Sequence, residues 1–273
     1  MVAPDGFRPR VSRSRNPGCE DRATRQIVAK IRVLLKKEEL DRERLAAKTV
    51  IVLDVLFATS TIVAVLEHGA SEVIPTVNGA AAQRIAATRA AGTYVMAGEL
   101  DAETLPGFAQ PTPLALLREE IRGRTVIYST TNGTVALHKA AAAAHVYAAA
   151  LLNARAVVAH VNATHPDETV LIVCSGSADN FNLEDFYAAG RLVTLFEGHR
   201  PGHEFSDAAI AARLLAARHD GRDCLRAARV GRMMQGRGLA DEVDYAAQND
   251  VFDVVPKFED GRLRPVRPAA SPA

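Results

Sequence analysis

The sequence predicts an α/β protein with a largely parallel sheet flanked by helices. Three observations carry this reading. Apolar runs of four to seven residues recur from Lys30 onward, segments of helical period separate them, and those segments open on polar or glycine-containing groups. Repeated strand-then-helix order needs crossover connections, and crossovers lay helices over both faces of a parallel sheet.

Strands are expected at Ile31–Leu35, Val50–Leu56, Val73–Val77, Tyr94–Ala97, Thr125–Ser129, His145–Ala148 and Thr169–Cys174. Helices fit Ala80–Ala91, Val135–Ala144, Ala154–Thr164 and Leu183–Glu197, and Ala58-Thr59-Ser60-Thr61 should open one more. Beyond Glu197 the pattern turns helical, with Asp207–Arg218, Cys224–Met234 and Ala240–Ala247 as a cap or layer on the sheet. The end reads as a terminal hairpin, Phe252–Phe258 and Arg262–Val266, because Asp260-Gly261 suits a tight turn. The domain expectation is a disordered basic tail over 1–28, a single domain over 29–267 with lobes at 29–198 and 199–267, and a frayed tail over 268–273.

Hydrophobic residues make up 48% of the 273 and charged residues 24%, so a packed core is expected. A formal net charge of +1 gives no basic face for nucleic acid, and no apolar run reaches the roughly 18 residues that span a bilayer. The expected partner is therefore a small anionic molecule, with a homodimer allowed. Three scattered cysteines, Cys19, Cys174 and Cys224, fit reduced thiols in a cytoplasm. Residues 1–26 carry six arginines against three acids, which suits a disordered basic tail or, alternatively, an organelle presequence.

In an open α/β sheet, ligands bind outside the carboxyl ends of the strands. Polar groups at those places are Asp54 with Thr59 and Ser60, Glu99, Thr130-Thr131-Asn132-Gly133-Thr134, and Ser175-Gly176 with Glu184-Asp185 on the next helix. Hydroxyls and free amides at a helix start can hold phosphate, or they can be N-caps and nothing more. An unpaired carboxylate such as Asp54 among apolar neighbours is costly to bury and calls for a cation. Mg²⁺ suits Asp54 and Glu99 with one of Glu184 or Asp185, Asp185 being taken as the third ligand; the alternative is that the last two acids serve a helix N-terminus. Other phosphatase signatures fail. Leu56 stands where an aspartyl-nucleophile enzyme needs a second Asp, and Asn180 stands where a cysteine phosphatase loop needs Arg, so Cys174 reads as a buried apolar residue. His199 and His203 flank a Pro-Gly and read as a loop.

The run Val50-Ile-Val-Leu-Asp54-Val-Leu-Phe-Ala-Thr-Ser-Thr-Ile-Val63, then Thr130–Thr134, Leu152-Asn153-Ala154, Cys174-Ser-Gly176 and Phe181-Asn-Leu-Glu-Asp185, resembles the 2-phosphosulfolactate phosphatases from about Lys30 to Val266. The resemblance implies an α/β fold, Mg²⁺ dependence and hydrolysis of the phosphate ester of a sulfonated lactate in coenzyme M synthesis. Carried over by position, it places Asp54, Glu99, Asn132, Glu184 and Asp185 in catalytic roles, and Thr130, Thr131, Gly133 and Thr134 around the phosphate. Three departures stand out: Phe57 and Leu100 replace arginines of the family pattern, and Gly107–Pro113 is a shortened segment. Phenylalanine cannot clamp an anion. If Arg124 or Arg155, each near a strand end, supplies the missing cation, the phosphatase reading recovers that clamp. A non-catalytic binding relative, or a phosphatase for a different phosphorylated hydroxy acid, are the competing readings.

Overall fold

The computed structural model describes residues 29–199 and 202–266. The tails expected at the two ends, and residues 200 and 201 of the His199–His203 loop, lie outside the described residues. In chain order the strands are β1 Lys30–Leu34, β2 Lys48–Leu53, β3 Glu72–Thr76, β4 Tyr94–Leu100, β5 Glu103–Thr104, β6 Thr125–Ser129, β7 His145–Ala149, β8 Thr169–Cys174, β9 Glu204–Phe205, β10 Pro256–Glu259 and β11 Arg262–Pro265. The helices are α1 Ala58–Glu67, α2 Gly79–Ala86, α3 Pro113–Leu116, α4 Gly133–Ala140, α5 Ala154–Thr164, α6 Leu183–His199, α7 Asp207–Ala216, α8 Gly221–Ala227, α9 Arg229–Gly236 and α10 Ala240–Ala246.

The strands form one open, mostly parallel sheet in the order β5-β4-β6-β3-β11-β10-β7-β2-β8-β1-β9. Its central strands are buried on both faces. In β2, Val50 and Val52 join the core shared with Ile62, Val65 and Leu137, while Ile51 and Leu53 join the core shared with Val157, Leu192 and Phe196. Side chains alternate along a strand, so an uninterrupted apolar run is what a sheet covered by helices on both sides requires. Gly190, inside α6, lets α7 approach closely: a Cβ there would sit 2.0 Å from the Ala212 carbonyl oxygen.

Two parallel blocks, β4-β6-β3 and β7-β2-β8-β1, are joined by the antiparallel hairpin β10–β11. Lys257 pairs with Tyr147 of β7, and Leu263 pairs with Val73 of β3. Asp260 and Gly261 both have positive φ, as a tight two-residue turn demands. The expected hairpin is thus present, with shorter arms, but in the middle of the sheet. Glu72, buried at the start of β3, ties it down: its carboxylate accepts from Arg262 at 3.2 Å, Arg264 at 2.8 Å and Arg89 at 3.0 Å.

Two expectations need correction. The strand predicted to run through Leu56 ends at Leu53, so Asp54 is the first residue of the turn into α1. The helix predicted over Cys224–Met234 is two helices, because Ala228 takes an extended conformation (φ −63°, ψ 155°) and redirects the chain. Glu242 of α10 joins the C-terminal helices to the rest by accepting from Thr112 Oγ1 and the amides of Leu114 and Ala115 at 2.6–2.8 Å. Among the described residues, no helix is long and apolar enough to cross a membrane.

The three arginines hold the Glu72 carboxyl below the usual range, although burial pushes the other way, so its contribution is present at neutral pH and fades as pH falls through that lowered value. Glu72→Gln should cost about 2 kcal/mol at pH 7, below the usual figure for a broken buried pair because the arginines are partly solvated. Urea unfolding of the variant against wild type should show that difference at pH 7 and little of it near pH 3.

Candidate active site

A cavity of about 480 Å³ opens at the carboxyl ends of β2, β4, β6 and β8. Asp54, Glu99, Thr130, Thr131 and Asn132 line it, so these sequence-predicted residues from both parallel blocks do converge. Convergence depends on Gly133. A Cβ there would meet Ala58 Cβ at 2.5 Å and Asp54 Oδ2 at 2.7 Å, so only glycine lets the first turn of α4 rest on Asp54.

Thr59, Ser60, Thr134 and Asp185 do not line the cavity and are engaged in local bonds. Thr59 Oγ1 accepts from the Asp54 amide at 3.0 Å, and Ser60 Oγ donates to the Val55 carbonyl at 2.8 Å. Thr134 exchanges bonds with Thr130, its amide donating to Thr130 Oγ1 at 3.2 Å and its own hydroxyl to the Thr130 carbonyl at 2.8 Å. They are local side-chain bonds, and neither α1 nor α4 carries a side-chain hydrogen bond at its N-cap residue, Phe57 or Asn132. Ser175 and Gly176 are buried beneath the loop, and the Gly176 amide donates to Asp185 Oδ2 at 3.4 Å.

The four carboxylates are not equivalent. Glu99 accepts from the Thr131 amide at 2.6 Å, Thr131 Oγ1 at 3.0 Å and the Ala102 amide at 2.7 Å, which knits β4 to the Thr130–Thr134 loop. Asp185 accepts from the Val55 amide at 2.9 Å, which fixes the turn that carries Asp54. Glu184 is different: it is buried, and both of its carboxylate oxygens lack a hydrogen-bond partner. Burial, and then the negative charges of Glu99 and Glu184, push Asp54 up to about 7. Burial pushes Glu184 up to about 7, against its own backbone amide and Arg229. Asp185 is raised well above the carboxylate range by burial, Asp54 and Glu184.

An orphaned buried carboxylate beside a second acid is what a divalent cation would satisfy, so Asp54 and Glu184 fit Mg²⁺, which takes one or two carboxylates and keeps several waters. Glu99 and Asp185 have their oxygens committed to amides, so they suit positioning of the loop and turn. Among the described residues, the one trio of His, Cys, Asp or Glu with donor atoms mutually within 4.8 Å is His145, His165 and Glu168, at the amino end of β7, far from these acids. The acids therefore form no closed cage.

Sequence reasoning missed the cations. Lys37, just past β1, is buried and donates to Asn132 Oδ1 at 3.1 Å and the Ser175 carbonyl at 3.2 Å, which joins the two blocks under the cavity. Its place after a predicted strand was a usable signal. Arg229 and Arg237 line the cavity from α9 and the residue after it. Arg124 and Arg155, the candidate substitutes from sequence, are elsewhere: Arg124 pairs with Glu120 at 2.5 Å and Arg155 with Asp250 at 3.6 Å. Neither lines the cavity, so neither replaces the cation absent at Phe57, which does line it.

A family profile described as 2-phosphosulpholactate phosphatase matches residues 34–261. The chain belongs to the 2-phosphosulfolactate phosphatase family. This is a family of phosphoric monoester hydrolases, and its match takes in both parallel blocks apart from most of β1, together with α9 and the turn between β10 and β11. A probable 2-phosphosulfolactate phosphatase of Symbiobacterium thermophilum is 35% identical over 224 residues, 81% of this chain and 95% of the relative. Proteins of the same description from Clostridium novyi and Deinococcus radiodurans are 31% and 36% identical, over 84% and 77% of this chain and 97% and 88% of theirs. The matched segment thus contains the cavity-lining residues of both blocks, and Glu184 with its unpartnered carboxylate.

Because Asp54 and Glu184 rise from ordinary values of 3.8 and 4.5 to about 7 on folding, the native state binds more protons than the unfolded chain between those limits. The stability they contribute is present below about pH 4 and is lost as pH rises to about 7. In chelator, melting temperature should fall between pH 5 and pH 8, and Asp54→Asn combined with Glu184→Gln should remove most of that slope. Added Mg²⁺ should restore the wild type at pH 8 and leave the double variant unchanged. Thermal melts across pH check all three outcomes.

Proposed function

We propose that the protein is an Mg²⁺-dependent phosphatase that converts 2-phosphosulfolactate to sulfolactate and phosphate, the step of coenzyme M synthesis implied by its family. The observation that carries this reading is the buried, unpartnered Glu184 carboxylate, whose charge raises the pKa of the Asp54 that lies against the first turn of α4. When bound there, Mg²⁺ would supply positive charge to the phosphate oxygens. The chain's own residues do the rest. The first turn of α4 presents orphan amides and the positive end of the helix dipole, a setting that favours a phosphate dianion. Asp54 lies against that turn and can hold or release a proton near neutrality. Glu99, through Thr131, fixes the loop that the phosphate must approach.

Phe57 favours a second reading, hydrolysis of a different phosphorylated hydroxy acid. With Leu56, Met233 and Met234 it gives the cavity an apolar wall where the family pattern has a guanidinium.

Purified protein should release phosphate from 2-phosphosulfolactate with Mg²⁺ and stop when the metal is chelated. Asp54→Asn and Glu184→Gln should each lower kcat at least a hundredfold while remaining folded, as expected for loss of metal-borne charge stabilisation. Equal rates with and without chelator would rule out the metal. Hydrolysis of 2-phospholactate far faster than of the sulfonated ester would favour the second reading.

A further inference from the structure

We propose that Arg229 forms a subsite for the second anionic group of the substrate, a sulfonate or carboxylate on the carbon skeleton that bears the phosphate. This rests on the phosphatase reading above. Arg229 is the first residue of α9, immediately after the extended Ala228, and it lines the cavity. Its Nη2 donates to Ser177 Oγ and, at 3.4 Å, to Asn182 Oδ1, and Ser177 Oγ in turn donates to Asn182 Oδ1 at 2.9 Å. Both partners also line the cavity, and both are neutral. They aim the guanidinium without cancelling its charge.

The other cations around the site are spent. Arg237 pairs with Glu103 at 2.9 Å and donates to the Ala102 carbonyl. Lys37 lies beneath the cavity, with Glu38 at 3.2 Å and bonds to Asn132 and Ser175. For Arg229, no carboxylate among the described residues comes within 4.0 Å. It is the cavity cation whose charge the protein has left available.

Electrostatics makes such a group necessary for a polyanionic substrate. Asp54, Glu99 and Glu184 give the site a negative field, and Arg229 is near enough to Glu184 to lower its pKa. A divalent ion can compensate the phosphate end, but a second anion entering that field needs a cation of its own. Position 57 offers only a phenyl ring, so the charge must come from another wall. Guanidinium suits this role because its planar fork matches the paired oxygens of a sulfonate or carboxylate.

The test compares kcat/KM for 2-phosphosulfolactate with that for phenyl phosphate, whose tail is neutral, in wild type, Arg229→Gln and Arg229→Lys. Glutamine keeps a donor for Ser177 and removes the charge. The selectivity ratio should fall about ten- to a hundredfold in the Gln variant, the usual worth of a charge-assisted pair, and Lys should recover part of it. A ratio within about twofold of wild type in Arg229→Gln would overturn the proposal. Calorimetry with sulfolactate, which carries both anions of the tail and no phosphate, separates this from the phosphatase reading. Wild type should bind it at least tenfold more tightly than Arg229→Gln; equal affinities, or no binding by wild type, overturn the subsite. If neither ester releases phosphate, the phosphatase reading fails and the calorimetry still decides Arg229.

Discussion

The structure turns on the burial of three carboxylates, Asp54, Glu184 and Asp185, at the carboxyl end of a sheet whose central strands are mostly apolar. Burying charge without compensation costs several kcal/mol per ion, so everything around the cluster is arranged to offset that cost. Glu184 and Asp185 lie in the first turn of α6, where the helix dipole favours them. The Asp185 carboxylate is held by backbone amides, Lys37 lowers the pKa of Asp54 from below, and raised pKa values let the remaining acids stay protonated when no cation is near. What these devices leave uncompensated is Glu184. An uncompensated acid whose charge is felt by the cavity-lining Asp54, unlike one isolated in a core, is a binding property.

The same logic separates what could be read from the sequence and what could not. Strand ends were legible because apolar runs stop abruptly at them, so Asp54, Glu99 and the Thr130–Thr134 loop were placed correctly at the carboxyl edge. The roles within the cluster were less so. Ser, Thr and acidic side chains at helix starts serve capping and ligand binding with the same pattern, and only the bonds made by Thr59, Ser60 and Thr134 show that these hydroxyls are used locally. Long-range contacts were illegible. No Pro marks the break at Ala228, and Gly231, whose backbone packs on the Leu225 carbonyl, does not by itself announce that Arg229 turns toward the cavity.

The cavity has two chemically distinct walls, and they come from different parts of the chain. Strand ends and the α4 amino terminus supply the acids and amides; α9 and its flanks supply Arg229, Met233, Met234 and Arg237. Phe57 sits at the seam, buried against both, which explains how an apolar residue can be accommodated there without loss of packing.

The hairpin at the centre of the sheet has a consequence for how the molecule is made. One parallel block carries Asp54 and the other carries Glu99 and Thr130, and the strands that fasten the blocks together follow every strand of both blocks in chain order. Both blocks are synthesised with an open inner edge, at β3 and at β7, that no neighbour covers until Pro256–Pro265 arrives. Unpaired edges are templates for pairing with other chains, so the nascent protein passes through a stage at which it is most vulnerable to association with its own copies. Asp54 faces Glu99 and the Thr130–Thr134 loop only across that joint, so the insertion of ten residues completes the cavity that both blocks line.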